Sequence, residues 1–147
     1  MKRTKRMKGM SKFVAVFMIA ILTAGMLGGC SRGGDAGNVS IDVGTSQLYS
    51  EEDVNDAMNA AIRQFRKGFE ACTMTRIWYD EEKTRKAAEE WAADNDADEG
   101  IVLYSDFEVD ESGRNPSLNP GQTYTRWQWV LVRDKGEKWR LVTWGYG

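Results

Sequence analysis

The residue that points most directly to chemistry is the cysteine at position 30. It closes the run Leu27, Gly28, Gly29, Cys30, which follows an apolar stretch at residues 13–22 and, before that, a cluster of bases. A basic start, an apolar stretch and small residues at a cleavage point are the features of a secretory signal peptide. The pattern therefore predicts export. The basic residues are Lys2, Arg3, Lys5, Arg6, Lys8 and Lys12.

Residues 27–30 resemble the lipobox of bacterial lipoproteins, in which the cysteine is acylated and the preceding peptide is removed. The resemblance implies a lipid-modified N-terminus at Cys30, with membrane lipid as its partner. Each buried methylene contributes about 0.8 kcal/mol, and stable anchoring takes two signals such as two acyl chains. An uncleaved signal anchor is the alternative, because residues 13–31 carry no charge and approach the roughly 20 residues of a spanning helix. Either way, we expect the rest of the chain on the extracytoplasmic side of the cell membrane.

The charge balance and the residue types exclude several classes of function. Six of the 20 basic residues precede Cys30 and all 22 acidic residues follow it, so the mature chain would have a net charge of −8. An acidic surface argues against nucleic acid, whose phosphates need clustered bases. The absence of histidine removes the usual base of a catalytic triad and the commonest zinc ligand. We therefore expect no cofactor and no metal, and we interpret Cys72 as a buried structural thiol.

The composition divides the chain into three parts. Residues 1–29 are the predicted signal peptide, residues 30–48 the lipidated cysteine with a flexible linker, and residues 49–147 one small domain. The segment at residues 31–47 is rich in Gly, Ser and Asp with no apolar period, which predicts a flexible tether. Its r.m.s. length would be on the order of 20 Å.

Patterning within residues 49–147 predicts two helices and about four strands. Ser50 with Asp53 predicts a capped helix, and Asp80 predicts the cap of a second helix. Residues 72–79 and 101–109 are typical of strands, the second with one wet face. Residues 123–133 and 138–144 read as a hairpin. The order favours an α+β fold, with both helices packed on one face of a curved antiparallel sheet.

The chain ending, residues 127–147, resembles that of small extracytoplasmic lipoproteins of Gram-positive bacteria, as do residues 78–82 and 101–107. Those proteins form an uncharacterised family with a nuclear-transport-factor-two-like, or cystatin-like, domain. The resemblance implies a cone-like sheet wrapped around helices, which in some members opens as a ligand pocket. That superfamily includes isomerases, dehydratases and non-catalytic modules, so the fold does not assign chemistry.

Tryptophan is concentrated in the second half of the chain, where all six copies lie. Trp127 and Trp129 share one strand face by the period of two, and such a pair could stack on a sugar or a peptide. The alternative is that these large rings fill the core of a small domain. If a pocket exists, we expect its ligand-binding residues to be Tyr79, Trp127, Trp129, Trp144 and Tyr146.

Three functions are compatible with these features. The leading hypothesis is a lipid-anchored, non-catalytic module that binds a small molecule, a glycan or a protein of the cell envelope. The second is a small isomerase- or dehydratase-like enzyme with an apolar pocket, which would need a carboxyl group of raised pKa. The third is an accessory subunit of an envelope complex, which would show a large exposed apolar patch.

Overall fold

The structure is a computed structural model that describes residues 33–146 of the 147-residue chain. The predicted signal peptide and the residues Leu27, Gly28, Gly29 and Cys30 lie outside the described residues. None of the helices within residues 33–146 has the length and apolar character needed to span a bilayer. The elements are β1 (Ser40–Asp42), α1 (Glu51–Gly68), β2 (Cys72–Tyr79), α2 (Glu81–Asp94), β3 (Glu99–Val109), β4 (Thr123–Arg133) and β5 (Arg140–Gly145).

The α+β class is confirmed, and the sheet is larger than the prediction of about four antiparallel strands. Five strands lie in the order β1-β2-β3-β4-β5. Strands β2 to β5 pair antiparallel with their neighbours, whereas β1 pairs parallel with β2. The sheet is therefore mixed.

The additional strand comes from the segment predicted to be a flexible tether, and that prediction is wrong from Gly33 onward. The backbone of Asp35 exchanges hydrogen bonds with β2, donating to the Cys72 carbonyl at 2.9 Å and accepting from the Met74 N–H at 2.8 Å. Ala36 is buried in the core. Gly34 fits because a Cβ there would lie 2.5 Å from the Phe65 ring. Residues 33–42 are held by backbone hydrogen bonds to β2 and by the close packing of Gly34 on Phe65. Neither interaction requires apolar residues at regular intervals, so the sequence gives no sign of them.

Helix α1 begins and packs as predicted. Ser50 and Asp53 form a reciprocal capping box, in which the Asp53 N–H donates to Ser50 Oγ at 3.1 Å and the Ser50 N–H donates to Asp53 Oδ2 at 3.2 Å. Its apolar stripe packs against one face of the sheet, where the main core lies. The buried residues of the helix are Val54, Ala57, Met58, Ala61, Ile62 and Phe65.

Helix α2 packs on the opposite face, so the prediction of both helices on one face is wrong. Asp80 caps it as predicted, accepting from the Lys83 N–H at 3.3 Å. Its Ala88 packs with Val102 of β3 and Val130 of β4 in a second, smaller apolar cluster. Gly100 allows this approach, because a Cβ there would overlap the Ala88 carbonyl oxygen. The face of β3 that was expected to be wet is therefore covered along half of its length.

Two irregularities flank Asp106 of the central strand β3. The register shifts between Met74 and Arg76 on β2, and again on β4, where Phe107 pairs with Tyr124 and Ser105 with Trp127. An extra residue of this kind bends a strand and re-aims the side chains beside it. The side chain of Asp106 accepts a hydrogen bond from the Arg126 N–H at 2.9 Å. Arg126 has φ 56°, a left-handed conformation that is uncommon outside glycine.

Candidate functional site

Four of the five sequence-predicted ligand residues come together beyond the last turn of α1. We call this cluster the aromatic end, and its rings meet around Phe69. The ring of Phe69 lies 6.1 Å from that of Trp127, 5.4 Å from Trp129 and 6.4 Å from Trp144. Tyr146 completes the cluster, with its ring 5.2 Å from that of Trp127.

The members of the aromatic end differ in their access to solvent. Trp129 is fully buried and its Nε1 donates to Ser105 Oγ at 2.8 Å, so it is a core residue and the prediction of a ligand contact there is wrong. Trp144 is 42% exposed and Tyr146 is 62% exposed. Trp127 is half-buried, and its Nε1 is a buried donor without a hydrogen-bond partner within residues 33–146. The exposed part of the cluster therefore consists of Trp144 and Tyr146, with Trp127 beneath.

Tyr79, the fifth predicted residue, lies elsewhere and is buried. Its hydroxyl donates to Glu81 Oε2 at 3.2 Å, and the same carboxylate accepts from Ser46 Oγ and from the Gln47 N–H at 3.0 Å. Burial raises the pKa of Tyr79 well above its usual range, and the Glu81 carboxylate raises it further. The pKa of Glu81 is lowered, because these hydrogen bonds outweigh the effect of burial. Tyr79 therefore stays protonated and Glu81 stays ionised. The hydrogen bonds to the Glu81 carboxylate hold residues 46–47 against the start of α2.

A second surface lies on the α2 side of the sheet, where that helix no longer covers the strands. One row of cross-strand neighbours crosses the whole sheet there, one residue from each strand. The Trp78 and Tyr104 rings lie 5.5 Å apart at its centre. Tyr104 is buried beneath the surface and Trp78 is half-buried. The row consists of Asp42, Trp78, Tyr104, Gln128 and Gly145.

Two arginines lie over these rings, and we call the four residues the Arg–aromatic face. The Arg76 guanidinium is 4.5 Å from the centre of the Trp78 ring, and that of Arg126 is 5.6 Å from the centre of the Tyr104 ring. Stacking of a guanidinium on an aromatic face is worth about 0.5–1 kcal/mol at an exposed site. It leaves the N–H groups at the edge of the guanidinium plane available to a ligand.

The Arg–aromatic face lines an open concavity of about 620 Å³. Arg76 is paired with Asp42 at 3.2 Å, and Lys83 with Asp80 at 3.0 Å. Within residues 33–146, no carboxylate lies at ion-pair distance from the Arg126 guanidinium, and no cation lies at that distance from Glu82. Among the described residues, the concavity therefore contains one cation without an acidic partner, stacked on an aromatic ring, and two carboxylates without a cationic partner, Glu81 and Glu82 at the start of α2.

The sequence carried a partial signal for the Arg–aromatic face. Arg76 and Trp78 are two residues apart on a predicted strand, which places them on one side. Tyr104 alternates with the apolar residues of its strand, but its position beside Trp78 depends on the pairing register. Arg126 lies on the same surface because the register of β4 shifts opposite Asp106. No local sequence pattern predicts that shift.

The remaining thiol and carboxylates of the described part of the chain do not form a metal site. No group of three or more His, Cys, Asp or Glu side chains that could hold a metal ion is found within residues 33–146. Cys72 is buried, as expected, and burial raises the pKa of its thiol to about 11. The amide of Asn115 donates to its sulfur at 3.7 Å. This cysteine is therefore a protonated core side chain.

Comparison of the chain with protein-family models, with curated proteins and with solved structures gave no match. The resemblance to nuclear-transport-factor-two-like lipoproteins accordingly stays a prediction. The functional argument depends on the geometry of the two surfaces.

Proposed function

We propose that the protein is a lipid-anchored, extracytoplasmic binding module that recognises a ligand bearing a carboxylate or a phosphate through its Arg–aromatic face. The anchor is the acyl group on Cys30, and the domain is of the nuclear-transport-factor-two-like kind. The observation that supports the binding role is the Arg126 guanidinium, stacked on Tyr104 at the concavity and without an acidic partner in the described residues.

The arrangement suits an oxyanion for three reasons. A guanidinium offers paired donors that match carboxylate and phosphate oxygens. Stacking on a ring holds Arg126 in place, so less side-chain entropy is lost on binding. The left-handed backbone of Arg126 is held by a hydrogen bond from its N–H to Asp106, and backbone strain of this kind concentrates at functional positions.

Of the four carboxylates that line the concavity, three have cationic or hydrogen-bonding partners. Asp42 and Asp80 are each paired with a cation, and Glu81, which stays ionised, accepts hydrogen bonds from Ser46, Gln47 and Tyr79. The lowered pKa of Glu81 also runs opposite to the raised carboxyl pKa that the enzyme hypothesis needs. Binding therefore agrees better than acid–base catalysis with the buried carboxylate of this region.

Calorimetric titration of the full-length protein in detergent micelles tests the proposal. The probes are glucuronate, glucose 6-phosphate and neutral glucose, which separate a carboxylate source from a phosphate source. We expect binding of at least one charged sugar and no binding of glucose. Arg126→Gln should weaken that binding about tenfold, because a hydrogen bond to a charged group contributes about 1.5–3 kcal/mol.

Two further variants sharpen the result. Arg140→Gln, at an exposed arginine of β5, is the matched control and should leave the affinity unchanged. Glu82→Gln should strengthen binding at low salt, because it removes one of the anions of the concavity that has no cationic partner among the described residues. Equal affinity for glucose and the charged sugars, or equal loss in the Arg126 and Arg140 variants, would refute the site.

The anchor is tested separately by metabolic labelling with radioactive palmitate. We expect the wild-type chain to be labelled and to sediment with membranes, and Cys30→Ser to be unlabelled. A wild-type chain that takes up no label, while its Cys30→Ser variant remains in the membrane at unchanged mass, would show an uncleaved signal anchor instead.

A further inference from the structure

The described chain begins at one particular end of the fold. Gly34 donates from its N–H to the Phe65 carbonyl at 3.2 Å, and Gly33 lies against the Arg66 carbonyl. Both carbonyls belong to the last turn of α1. The polypeptide therefore enters the domain beside the C-terminal end of α1, not at its capped start near Ser50.

The distance from this entry to the proposed lipid is short. Two residues separate Cys30 from Gly33 in the sequence, so the Cα atoms of these two residues can be no more than about 11 Å apart. A flexible tether over residues 31–47 would have allowed any orientation of the domain. The packing of residues 33–48 reduces the possible tether to the residues before Gly33 and brings the end of α1 close to an acylated Cys30.

The aromatic end lies at this same end of the fold. The Phe65 ring, against which Gly34 packs, stacks on Phe69 at 4.8 Å, and Phe69 in turn contacts Trp144 at 6.4 Å. Trp144 and Tyr146 are two of the large hydrophobic side chains that the described residues expose. Two exposed cations, Arg66 and Lys67, occupy the last turn of α1, where Arg66 donates to the Ala36 carbonyl at 3.4 Å.

We propose that the aromatic end rests in the interfacial layer of the bilayer that holds the lipid on Cys30. The inference rests on the lipidation in the proposed function. Trp and Tyr rings are enriched at the level of lipid headgroups, because one end of each is apolar and the other is polar. The half-buried Trp127, whose Nε1 has no partner within the described residues, lies directly beneath Tyr146.

If the aromatic end contacts the bilayer mainly by inserting its rings, the strength of that membrane contact should depend little on the charge of the lipid. The mature chain would have a net charge of −8, which disfavours an anionic surface as a whole. Arg66 and Lys67 offset this locally. We therefore expect the contact to form on phosphatidylcholine vesicles and to gain little from added phosphatidylglycerol, unlike a polybasic lipid-binding patch.

Quenching of tryptophan fluorescence by brominated phosphatidylcholine tests the contact. The lipidated full-length protein is reconstituted into vesicles with and without the brominated lipid, and mass spectrometry confirms acylation. We expect the brominated lipid to quench part of the emission. Trp144→Phe should abolish most of that quenching. Trp91→Phe, on α2 and partly buried against the second apolar cluster, is the matched control and should leave it intact.

Each outcome decides between the possibilities. Quenching that survives in Trp144→Phe, or that disappears in Trp91→Phe, would overturn the membrane contact while leaving the anchor in place. Quenching absent from acylated wild-type protein would do the same and would leave the aromatic end to a glycan, a protein or a second copy. A wild-type chain without acyl groups would overturn the proposed anchor, and the orientation argued from it.

Discussion

Arg133 ties three elements of the fold together, and its removal gives a quantitative test of the structure. Its guanidinium donates to Asp53 of α1 at 2.7 Å and to Glu99 of β3 at 2.6 Å, and it lies 4.2 Å from the centre of the Trp139 ring. The Arg133 side chain is 12% exposed, against 33% for Asp53 and 22% for Glu99. Both carboxylates are therefore partly screened by water.

Arg133→Met keeps the apolar stem and removes the charge. Breaking a fully buried pair costs about 3–5 kcal/mol because it strands a charge, whereas exposed pairs contribute about 0–1 kcal/mol. The partial exposure of Asp53 and Glu99 places the expected loss between these limits, at about 2 kcal/mol. For a domain of this size the loss corresponds to a decrease in Tm of roughly 10 °C.

The effect should depend on pH in a defined direction. The hydrogen bond from Arg133, with that from Ser50, holds the pKa of Asp53 below its usual range. A carboxyl group whose pKa is depressed by folding stabilises the protein above its unfolded pKa, about 3.9 for Asp. That stabilisation is lost as the pH falls through the folded pKa. The difference in unfolding free energy between wild type and Arg133→Met should therefore shrink below about pH 4.

Urea denaturation of the full-length protein in micelles, followed by circular dichroism, measures these differences at neutral and acidic pH. The control is Arg85→Met, because Arg85 pairs with Glu89 at 3.2 Å while both side chains are more than half exposed. Its expected loss is below about 0.5 kcal/mol. Equal losses in the two variants, or a loss in Arg133→Met that does not change with pH, would refute this reasoning.

Three further predictions follow from the packing. Gly100→Ala should destabilise the fold by about 2 kcal/mol or more by pushing α2 off the sheet, whereas Gly68→Ala, near the end of α1, should stay within about 1 kcal/mol of wild type in urea titrations. Cys72 should resist iodoacetamide in native protein and react after unfolding, as mass spectrometry would show, because its thiol is buried with a pKa of about 11. Trp129→Phe should lower the free energy of unfolding by about 1–3 kcal/mol in the same titrations, because the buried Ser105 hydroxyl then loses the indole N–H that donates to it. Ser105→Ala removes the acceptor instead and leaves the buried indole N–H without its partner.

Much of the secondary structure could be predicted because its signals are local. Ser50 and Asp80 cap the helices that they were expected to cap. The strand Cys72–Tyr79 has the bounds expected from its residue types. In each case a side chain acts on backbone groups within a few residues, or the apolar pattern repeats along a single element. Contacts with distant segments alter neither the capping interaction nor the apolar pattern, so both can be predicted from the local sequence.

The parts that were predicted wrongly depend on contacts between distant segments. Strand β1 is held by backbone pairing to β2, and glycine at position 34 fits against Phe65, so the segment carries almost no apolar pattern. The placement of α2 on the opposite face depends on Gly100 and on the small side chain of Ala88. Period-two reading cannot distinguish a face open to water from one covered by an alanine-rich helix.

The candidate site shows the same division. Trp144, Tyr146 and Tyr79 were expected among the ligand-binding residues; Trp144 and Tyr146 are exposed, whereas Tyr79 is buried. Trp129 was expected on the same ligand surface as Trp127, yet it is buried in the core, where its indole N–H donates to Ser105 Oγ. Arg126 could not have been chosen from the sequence, because its place over Tyr104 results from the shifted register of two strands.

The two proposed surfaces are close together because they use consecutive residues of β4. Arg126 belongs to the Arg–aromatic face and Trp127 to the aromatic end, and adjacent residues of a strand point to opposite sides of the sheet. A ligand on Arg126 would therefore bind on the side of the sheet opposite the rings of the aromatic end, one residue away from Trp127 along the same strand. If those rings rest on the bilayer, the module holds its ligand next to the headgroups. A membrane-proximal carboxylate or phosphate would then reach Arg126 more readily than one that extends far from the surface.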